Sequence, residues 1–291
     1  MSLLPADLRE ALTQARLNAL GARSIHGIGE RVSRDKGAGL EFADHRGYQP
    51  GDDMRHLDVS VYSRLRQPVV RQFHPERQLD VVLLVDGTAS MDFGTPNKFV
   101  FATRVAAGLA CAGLAGSDRV TVGVVGSGSL QASRRFSGTH RFHELSAWLE
   151  EREPSGHLDL EEALEVALPQ LPTEGLLIIV SDFLSERSDA GLATLAAHGP
   201  QVVAIQVLDT GEIDPDLREG DVRMVDSESG SMLELAVRDD VLQRYREELD
   251  RFQRELRESL ASFGNHFVPL RSDASLRSVF LHDFVREGLL R

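Results

Sequence analysis

The sequence predicts an α/β fold in which a doubly wound, mostly parallel sheet is covered by helices on both faces. Nearly continuous apolar runs, typical of strands buried on both sides, alternate with segments of helical period. This alternation of strand and helix is the order of βαβ units with right-handed crossovers. The 291 residues suffice for one large α/β domain with a small companion.

The distribution of charge divides the chain near residue 78. Residues 1–78 carry 12 Lys/Arg and 10 Asp/Glu, a balance of +2, whereas residues 79–291 carry 20 and 35, a balance of −15. We therefore predict an N-terminal segment of helix and short strands, residues 1–78, and a main domain, residues 79–291, that includes the C-terminal helices.

The N-terminal segment begins with a predicted helix from Pro5 to Leu20. Pro5 suits the first turn of a helix, and Gly21 suits its end. After a Gly-rich polar stretch, two runs have the pattern of short strands, at residues 57–62 and 68–73.

The main domain supplies the alternating pattern. Strands are predicted at residues 79–85, 119–126, 176–180, 201–208 and 266–270, and helices at 97–115, 140–151, 159–168, 188–198, 238–263 and 272–290. The helix at 238–263 has one apolar face that covers fewer than four heptads. That length favours a helix packed on the sheet, and a partner-docking or coiled-coil helix is the alternative.

Composition excludes several classes of protein. The net charge of −13 argues against a general nucleic-acid binder, which would be basic. The single cysteine, Cys111, excludes an internal disulfide and a Cys-based zinc site, and its apolar helical setting indicates an inert core thiol. We expect a cytoplasmic protein without stable membrane insertion, because no apolar run reaches about 18 residues and the N-terminus lacks a signal-peptide pattern.

Polar side chains follow two of the predicted strands. Asp86 ends the first strand of the main domain, Thr88 and Ser90 follow it at alternate positions, and Asp182 follows the third strand. In an open parallel sheet, binding sites form at the carboxyl ends of strands. Carboxylate and hydroxyl oxygens suit Mg²⁺, Mn²⁺ or Ca²⁺. The alternative is that Thr88 and Ser90 are turn or cap residues and that Asp86 interacts with a helix dipole.

Two motifs resemble known families. The run Arg46–Asp58 reads RGYQPGDDMRHLD and resembles the R-x-Y-x-P-G-D-D-x-R-x-I-D signature of the DUF58 family. The loop after the first main-domain strand resembles the D-x-S-x-S loop of the von Willebrand factor A fold, with Thr88 in place of the first serine. Further stretches fit the family in order, at residues 72–77, 225–230 and 244–246. The resemblance extends from about residue 20 to the C-terminus.

The resemblance implies a von Willebrand A-like domain that acts as a non-catalytic adaptor. Members are bacterial or archaeal and are usually encoded beside MoxR-type AAA+ ATPases, with which they are thought to assemble complexes in a chaperone-like way. The adaptor would hold a client protein through a metal-ion-dependent adhesion site (MIDAS). Carried over residue by residue, the ligands of Mg²⁺ (or Mn²⁺ or Ca²⁺) would be Asp86, Thr88, Ser90 and Asp182.

The second loop of that site departs from the family pattern. Members tend to read G-x-T-D-L, whereas this chain reads GHLDL at residues 156–160, so Leu158 stands at the threonine position. Leucine offers no oxygen ligand. Water, Ser155, His157 or Asp159 could supply the missing donor, or the site could be degenerate and bind its partner without metal.

Enzyme functions find little support in the sequence. The loop at residues 84–88 is similar to the D-x-D-G-T loop of haloacid dehalogenase-type phosphatases, but Leu84 stands where the nucleophilic carboxylate is needed. Neither a P-loop nor a G-x-S-x-G elbow occurs in the sequence. We therefore expect a protein that is not an enzyme, with a metal-dependent phosphatase as the remaining catalytic alternative.

The signature run at residues 46–58 contains several charged residues of alternating sign at close spacing. Arg46, Asp52, Asp53, Arg55 and Asp58 are expected to bind one another and the loop backbone. This charged group would serve either as a partner surface or as a polar clasp that holds the N-terminal segment to the main domain.

Overall fold

The computed structural model describes residues 3–18, 42–73, 78–126, 129–156, 175–184, 200–215, 220–225, 232–237 and 239–291. The strands are β1 (Phe42–Gly47), β2 (Val69–Phe73), β3 (Asp80–Asp86), β4 (Arg119–Gly126), β5 (Ser129–Ala132), β6 (Phe136–Ser137), β7 (Leu176–Ser181), β8 (Gln201–Leu208), β9 (Gly220–Val225), β10 (Met232–Val237) and β11 (His266–Arg271). The helices are α1 (Ala6–Leu12), α2 (Val59–Leu65), α3 (Lys98–Ala115), α4 (Phe142–Glu150), α5 (Thr210–Ile213), α6 (Asp239–Ser262) and α7, which joins α-helical Leu276–Ser278, a π-helical turn at Val279–Asp283 and α-helical Phe284–Arg286.

The central sheet confirms the predicted fold class. Its strand order is β11-β8-β7-β3-β4-β5, and β6 also pairs with β4. The five strands that the apolar runs predict are β3, β4, β7, β8 and β11, and all of them run parallel. Strands β5 and β6 add antiparallel pairs to β4. The helices predicted at 159–168 and 188–198 lie outside the described residues.

The order of the parallel strands creates a topological switch point. Taken in chain order, the five parallel strands are arranged 2-1-3-4-5 across the sheet. The chain therefore leaves β3 first toward β4 and later builds β7, β8 and β11 on the opposite side. Ligands of such sheets bind in the crevice outside the carboxyl ends of the strands at this point, which here lies between β3 and β7.

Alternate residues of β3 enter two separate cores. Leu83 packs in the larger core with α1, α3 and α7, and Leu84 packs in the smaller core with Leu256 and Leu260 of α6. Because successive side chains of a strand point to opposite faces, both faces of β3 are covered. Helix α6 thus lies on the sheet, as its short apolar face predicts.

Helix α3 is the central helix of the larger core. It is long and apolar enough to cross a membrane by length and composition alone, although Lys98 and Arg104 interrupt its apolar run, and 83% of it is buried inside the structure. Gly108 makes room for the ring of Phe280 in α7, because an added Cβ would lie 2.1 Å from the ring atom Cζ. Cys111 is buried as predicted, and burial raises the pKa of its thiol to about 11.

The predicted division of the chain needs one correction. The two compact units are Ile25–Gln78 and, together, Met1–Ser24 with Leu79–Arg291. The boundary near residue 78 is found, but the first 24 residues belong with the larger unit. The physical reason is that Leu8 and Leu12 of α1 are buried in the larger core.

The first helix is also shorter than predicted. It ends at Leu12, because the following backbone pairs with the end of the chain. The amides of Arg16 and Asn18 donate to the carbonyls of Arg291 and Leu289.

The smaller unit, Ile25–Gln78, contains an antiparallel pair of strands, β1 and β2, with α2 between them in sequence. The strand predicted at residues 57–62 is wrong, and α2 begins there instead. The carboxylate of Asp58 caps this helix by accepting from the amides of Ser60 and Val61. The expected mutual pairing of the signature charges is confirmed by contacts between Arg46 and Asp52 at 2.8 Å and between Arg55 and Asp53 at 2.7 Å.

Two further elements differ from the sequence pattern. Strands β9 and β10 form an antiparallel hairpin that the apolar runs do not predict. The last helix, predicted from residue 272, begins after Ser275 and contains the π-helical turn.

The burial of α1 in the larger core leads to a prediction about stability. Substitution Leu12→Ala should lower the free energy of unfolding by about 2–5 kcal/mol, because it removes buried methyl groups and leaves a cavity. Denaturant unfolding measures the change. The same substitution at Leu184, which is 45% exposed, is the control and should cost well under half as much. Equal effects at the two sites would contradict the placement of α1.

Candidate functional site

The carboxylate of Asp86 is fixed at the end of the central strand. One of its oxygens, Oδ1, accepts from the amide of Thr88 at 2.9 Å and from the Thr88 hydroxyl at 2.7 Å. The other, Oδ2, accepts from the hydroxyl of Ser181 at 2.6 Å. Three hydrogen bonds from two strand ends therefore hold a buried carboxylate in one orientation.

The loop after β3 turns its hydroxyl groups toward one another. Residues Ala89–Met91 form a 3₁₀ turn, and the buried side chain of Met91 anchors it in the larger core. The hydroxyl oxygens of Thr88 and Ser90 lie 3.0 Å apart. We call the group formed by Asp86, Thr88, Ser90, Ser181 and Asp182 the switch-point site.

Two glycines allow the neighbouring loops to approach this turn. A Cβ added to Gly87 would lie 2.6 Å from a methyl carbon of Val124, and one added to Gly126 would lie 2.8 Å from the carbonyl oxygen of Gly87. The start of the second loop is held directly against the first, because Ser155 donates to the Gly87 carbonyl and Gly156 accepts from the Ala89 amide. His157, Leu158 and Asp159 lie outside the described residues.

Asp182 is held at the adjacent strand end. Its Oδ2 accepts from the ammonium of Lys98 at 2.8 Å, and its Oδ1 accepts from the amide of Leu184 at 3.3 Å. The backbone turns sharply here, since Phe183 adopts a left-handed conformation with φ 54° while its side chain stays buried. The structure thus brings all four sequence-predicted residues to the carboxyl ends of β3 and β7.

Three residues in or next to the switch-point site were not singled out from the sequence. Lys98, the first residue of α3, is fully buried and its ammonium also donates to Glu212 at 2.6 Å. Glu212 lies in α5, where it completes a capping box with Asp209. Ser181 precedes Asp182 and bonds Asp86. The signal that could have indicated Lys98 was its position at the start of a helix that is otherwise rich in apolar residues.

The electrostatics of the site reflect buried charge. Burial, and to a smaller extent the Asp182 carboxylate, raises the pKa of Asp86 to about 6 in spite of the hydrogen bonds from Ser181 and Thr88. Burial also raises the pKa of Glu212. Burial acts to lower the pKa of Lys98, but the carboxylates of Asp182 and Glu212 outweigh it, and the pKa ends above its ordinary value. Lys98 is therefore an ammonium held between two carboxylates, those of Asp182 and Glu212.

These residues fit a divalent cation that relies on hydroxyl groups and water. Ligands at 2.0–2.1 Å in octahedral geometry lie about 3 Å from their neighbours, which is the separation of the Thr88 and Ser90 oxygens. The excess of carboxylate over ammonium supplies the negative charge that a cation would balance. Within the described ranges no three His, Cys, Asp or Glu side chains form a metal-holding group, so hydroxyls and water would complete the coordination.

Leu84 does not take part in the site. Its side chain is buried in the smaller core, on the face of the sheet that packs against α6. No nucleophile stands there of the kind that the phosphatase alternative requires.

Comparisons with known proteins identify relatives along most of the chain. The model of the family described as "Protein of unknown function DUF58" matches residues 44–258. The uncharacterized proteins Rv1480 of Mycobacterium tuberculosis and Mb1516 of Mycobacterium bovis are each 30% identical over 247 residues, which is 81% of this chain and 77% of theirs.

Two solved structures show some likeness to the chain. The conserved hypothetical protein BatB from Bacteroides thetaiotaomicron is 15% identical with a TM-score of 0.46, over 72% of this chain and 98% of that one. The SpRpn10 VWA domain is 10% identical with a TM-score of 0.41, over 72% of this chain and 95% of that one.

The raised pKa of Asp86 predicts a pH dependence of stability in metal-free protein. The folded chain binds the Asp86 proton more tightly than the unfolded chain, so this contribution is full below about pH 4 and is lost as the pH rises through about 6. Its size is at most about 3 kcal/mol. The free energy of unfolding of wild type minus that of Asp86→Asn should therefore fall between pH 4 and pH 7 in EDTA. Parallel profiles of the two proteins would contradict the assignment.

Proposed function

The chain belongs to the DUF58 family, and from this premise and the site geometry we propose that it is a non-catalytic protein-binding adaptor. The adaptor holds its partner at the switch-point site, with Mg²⁺ (or Mn²⁺ or Ca²⁺) as part of the binding surface. The observation that carries this proposal is the pair of hydroxyl oxygens of Thr88 and Ser90, which lie 3.0 Å apart beside the fixed carboxylate of Asp86.

The metal would be held by the chain's own oxygens and would present an open coordination position. Thr88 and Ser90 supply hydroxyl ligands, and Asp86 and Asp182 supply negative charge directly or through water. When bound, the ion would accept a carboxylate of the partner as a further ligand. Asp86 cannot swing away from this position without breaking its bonds to Ser181 and Thr88.

Exposed apolar side chains beside the site support protein binding. Phe93 follows the loop that carries Ser90, and Leu184 follows Asp182; they are 51% and 45% exposed. Large apolar groups around polar contacts are typical of protein interfaces, where aromatic side chains often carry most of the binding energy. We call Phe93 and Leu184 the apolar rim.

The partner we propose is a MoxR-type AAA+ ATPase together with a client protein. This follows from the family resemblance, which implies complex assembly by the pair. The main domain has a charge balance of −15, so electrostatic complementarity favours a partner surface that is basic around the point of contact.

A metal-free scaffold is the second candidate, and one observation favours it. The ammonium of Lys98 already neutralises part of the negative charge at Asp182. In that form the site would bind its partner by shape and charge alone.

Metal binding is tested by thermal unfolding of EDTA-stripped protein titrated with Mg²⁺. A ligand that binds only the folded state adds about 2.7 kcal/mol of stability at a hundred times its Kd. We expect a saturating rise in the unfolding temperature for the wild type and none for Asp86→Ala. Asp214→Ala, which removes an exposed carboxylate, is the control and should respond like the wild type. A wild type that shows no shift would favour the metal-free scaffold.

Partner binding is tested by calorimetry with the purified MoxR-type ATPase of the same genome, in Mg²⁺ and in EDTA. Substitution Phe93→Ala should weaken binding by about 1–3 kcal/mol if the apolar rim lies in the interface. Phe263→Ala is the matched control, because Phe263 is 40% exposed and precedes the amino end of β11, whereas the site lies at the carboxyl ends of the parallel strands. Equal loss in both variants, or no binding by the wild type, would contradict this part of the proposal.

A further inference from the structure

Lys98 occupies an unusual position for a lysine. Its side chain is fully buried, and its ammonium contacts the carboxylates of Asp182 at 2.8 Å and Glu212 at 2.6 Å. The ring of Phe93 lies 5.9 Å from the same nitrogen. Fully buried lysines are rare because desolvation of the ammonium is costly. Here two carboxylates offset that cost.

The ion pairs of Lys98 hold together three separate parts of the larger unit. Lys98 begins α3, Asp182 follows β7, and Glu212 lies in α5 after β8. Glu212 accepts in turn from the amide of Asp209, and its own carbonyl accepts from the hydroxyl of Tyr245 in α6. The ammonium therefore holds the carboxylates of Asp182 and Glu212 together, which a bound cation would otherwise have to do.

The site consequently has two unequal halves. On one side, the hydrogen bonds among Asp86, Thr88, Ser90 and Ser181 come from neutral donors, which are an amide and hydroxyl groups. On the other side, Asp182 and Glu212 share the charge of Lys98. A divalent ion would find unneutralised charge at Asp86, whereas at Asp182 it would compete with an ammonium already in place.

We propose that Lys98 is a built-in cation that confines a divalent ion to the Asp86–Thr88–Ser90 half of the site and keeps its affinity low. The role rests on the metal site of the proposed function and makes Lys98 the residue that sets its ion affinity. Removal of the ammonium frees the carboxylates of Asp182 and Glu212. The site then has more anionic ligands for the ion, and more of its negative charge is unbalanced when the ion is absent.

The test is Lys98→Met, which keeps a long unbranched side chain and removes the charge. EDTA-stripped protein is titrated with Mg²⁺ and with Mn²⁺ by calorimetry, and thermal unfolding is followed in parallel. We expect Lys98→Met to be less stable than the wild type in EDTA, to bind each ion at least tenfold more tightly, and to gain a larger increase in unfolding temperature at saturation.

Arg119→Met is the matched control. It removes a cation bonded to a carboxylate, that of Asp80 at 2.6 Å, at the amino ends of β3 and β4 and thus at the opposite end of these strands from the site. Its ion affinity should equal that of the wild type. If Lys98→Met does not fold in EDTA, the double variant Lys98→Met/Glu212→Gln removes one of the two freed carboxylates, and it too should bind ions more tightly than the wild type.

The outcomes separate this inference from the proposed function. A shift in both wild type and Lys98→Met of equal size overturns the role of Lys98 and leaves the metal site standing. A shift in Lys98→Met alone supports the role of Lys98 and favours the metal-free scaffold for the wild type. No ion binding by either protein, or by the double variant, overturns both.

Discussion

The contact on which the site depends is the buried bridge from Lys98 to Asp182 and Glu212. Because the ammonium is removed from water, the carboxylates of Asp182 and Glu212 balance its charge, and the ammonium holds both of them in place. This bridge joins the start of α3 to the ends of β7 and β8. The bridge fixes Asp182, and the preceding residue, Ser181, donates to the carboxylate of Asp86, which Thr88 also holds.

The sheet topology explains why the polar groups meet at this place. Strand β3 is central, is buried on both faces and ends at the switch point. Its loop therefore lies at the crevice where ligands of such sheets bind. Gly87 and Gly126 let the neighbouring backbones approach that loop closely. The fold supplies a preorganised cluster of oxygens, and two exposed apolar side chains, Phe93 and Leu184, follow the two loops that carry it.

The sequence predicts the parallel strands and the two strand-end aspartates because both signals are local: an apolar run, and the polar residue at its end. It does not predict Lys98 or Glu212, because a lysine at the start of a helix is ordinarily solvated and its burial depends on residues about 84 and 114 positions away. The same limit explains residues 57–62, whose alternating pattern indicates a strand although Asp58 caps a helix there. It also explains α1, since a count of charges cannot show which core receives Leu8 and Leu12.

Two features of the sequence would weaken metal binding at the proposed site in different ways. By the family pattern, Leu158 stands where a threonine would offer a neutral ligand, so it would cost the proposed site an oxygen and leave its charge unchanged. Lys98 adds positive charge, so it reduces the attraction for a cation and removes no oxygen from the Asp86 loop. Charge is the larger factor for a hard divalent ion in a buried site, because electrostatic interactions there are only weakly screened. On this argument we expect the lysine to lower the ion affinity of the proposed metal site more than the absent hydroxyl does.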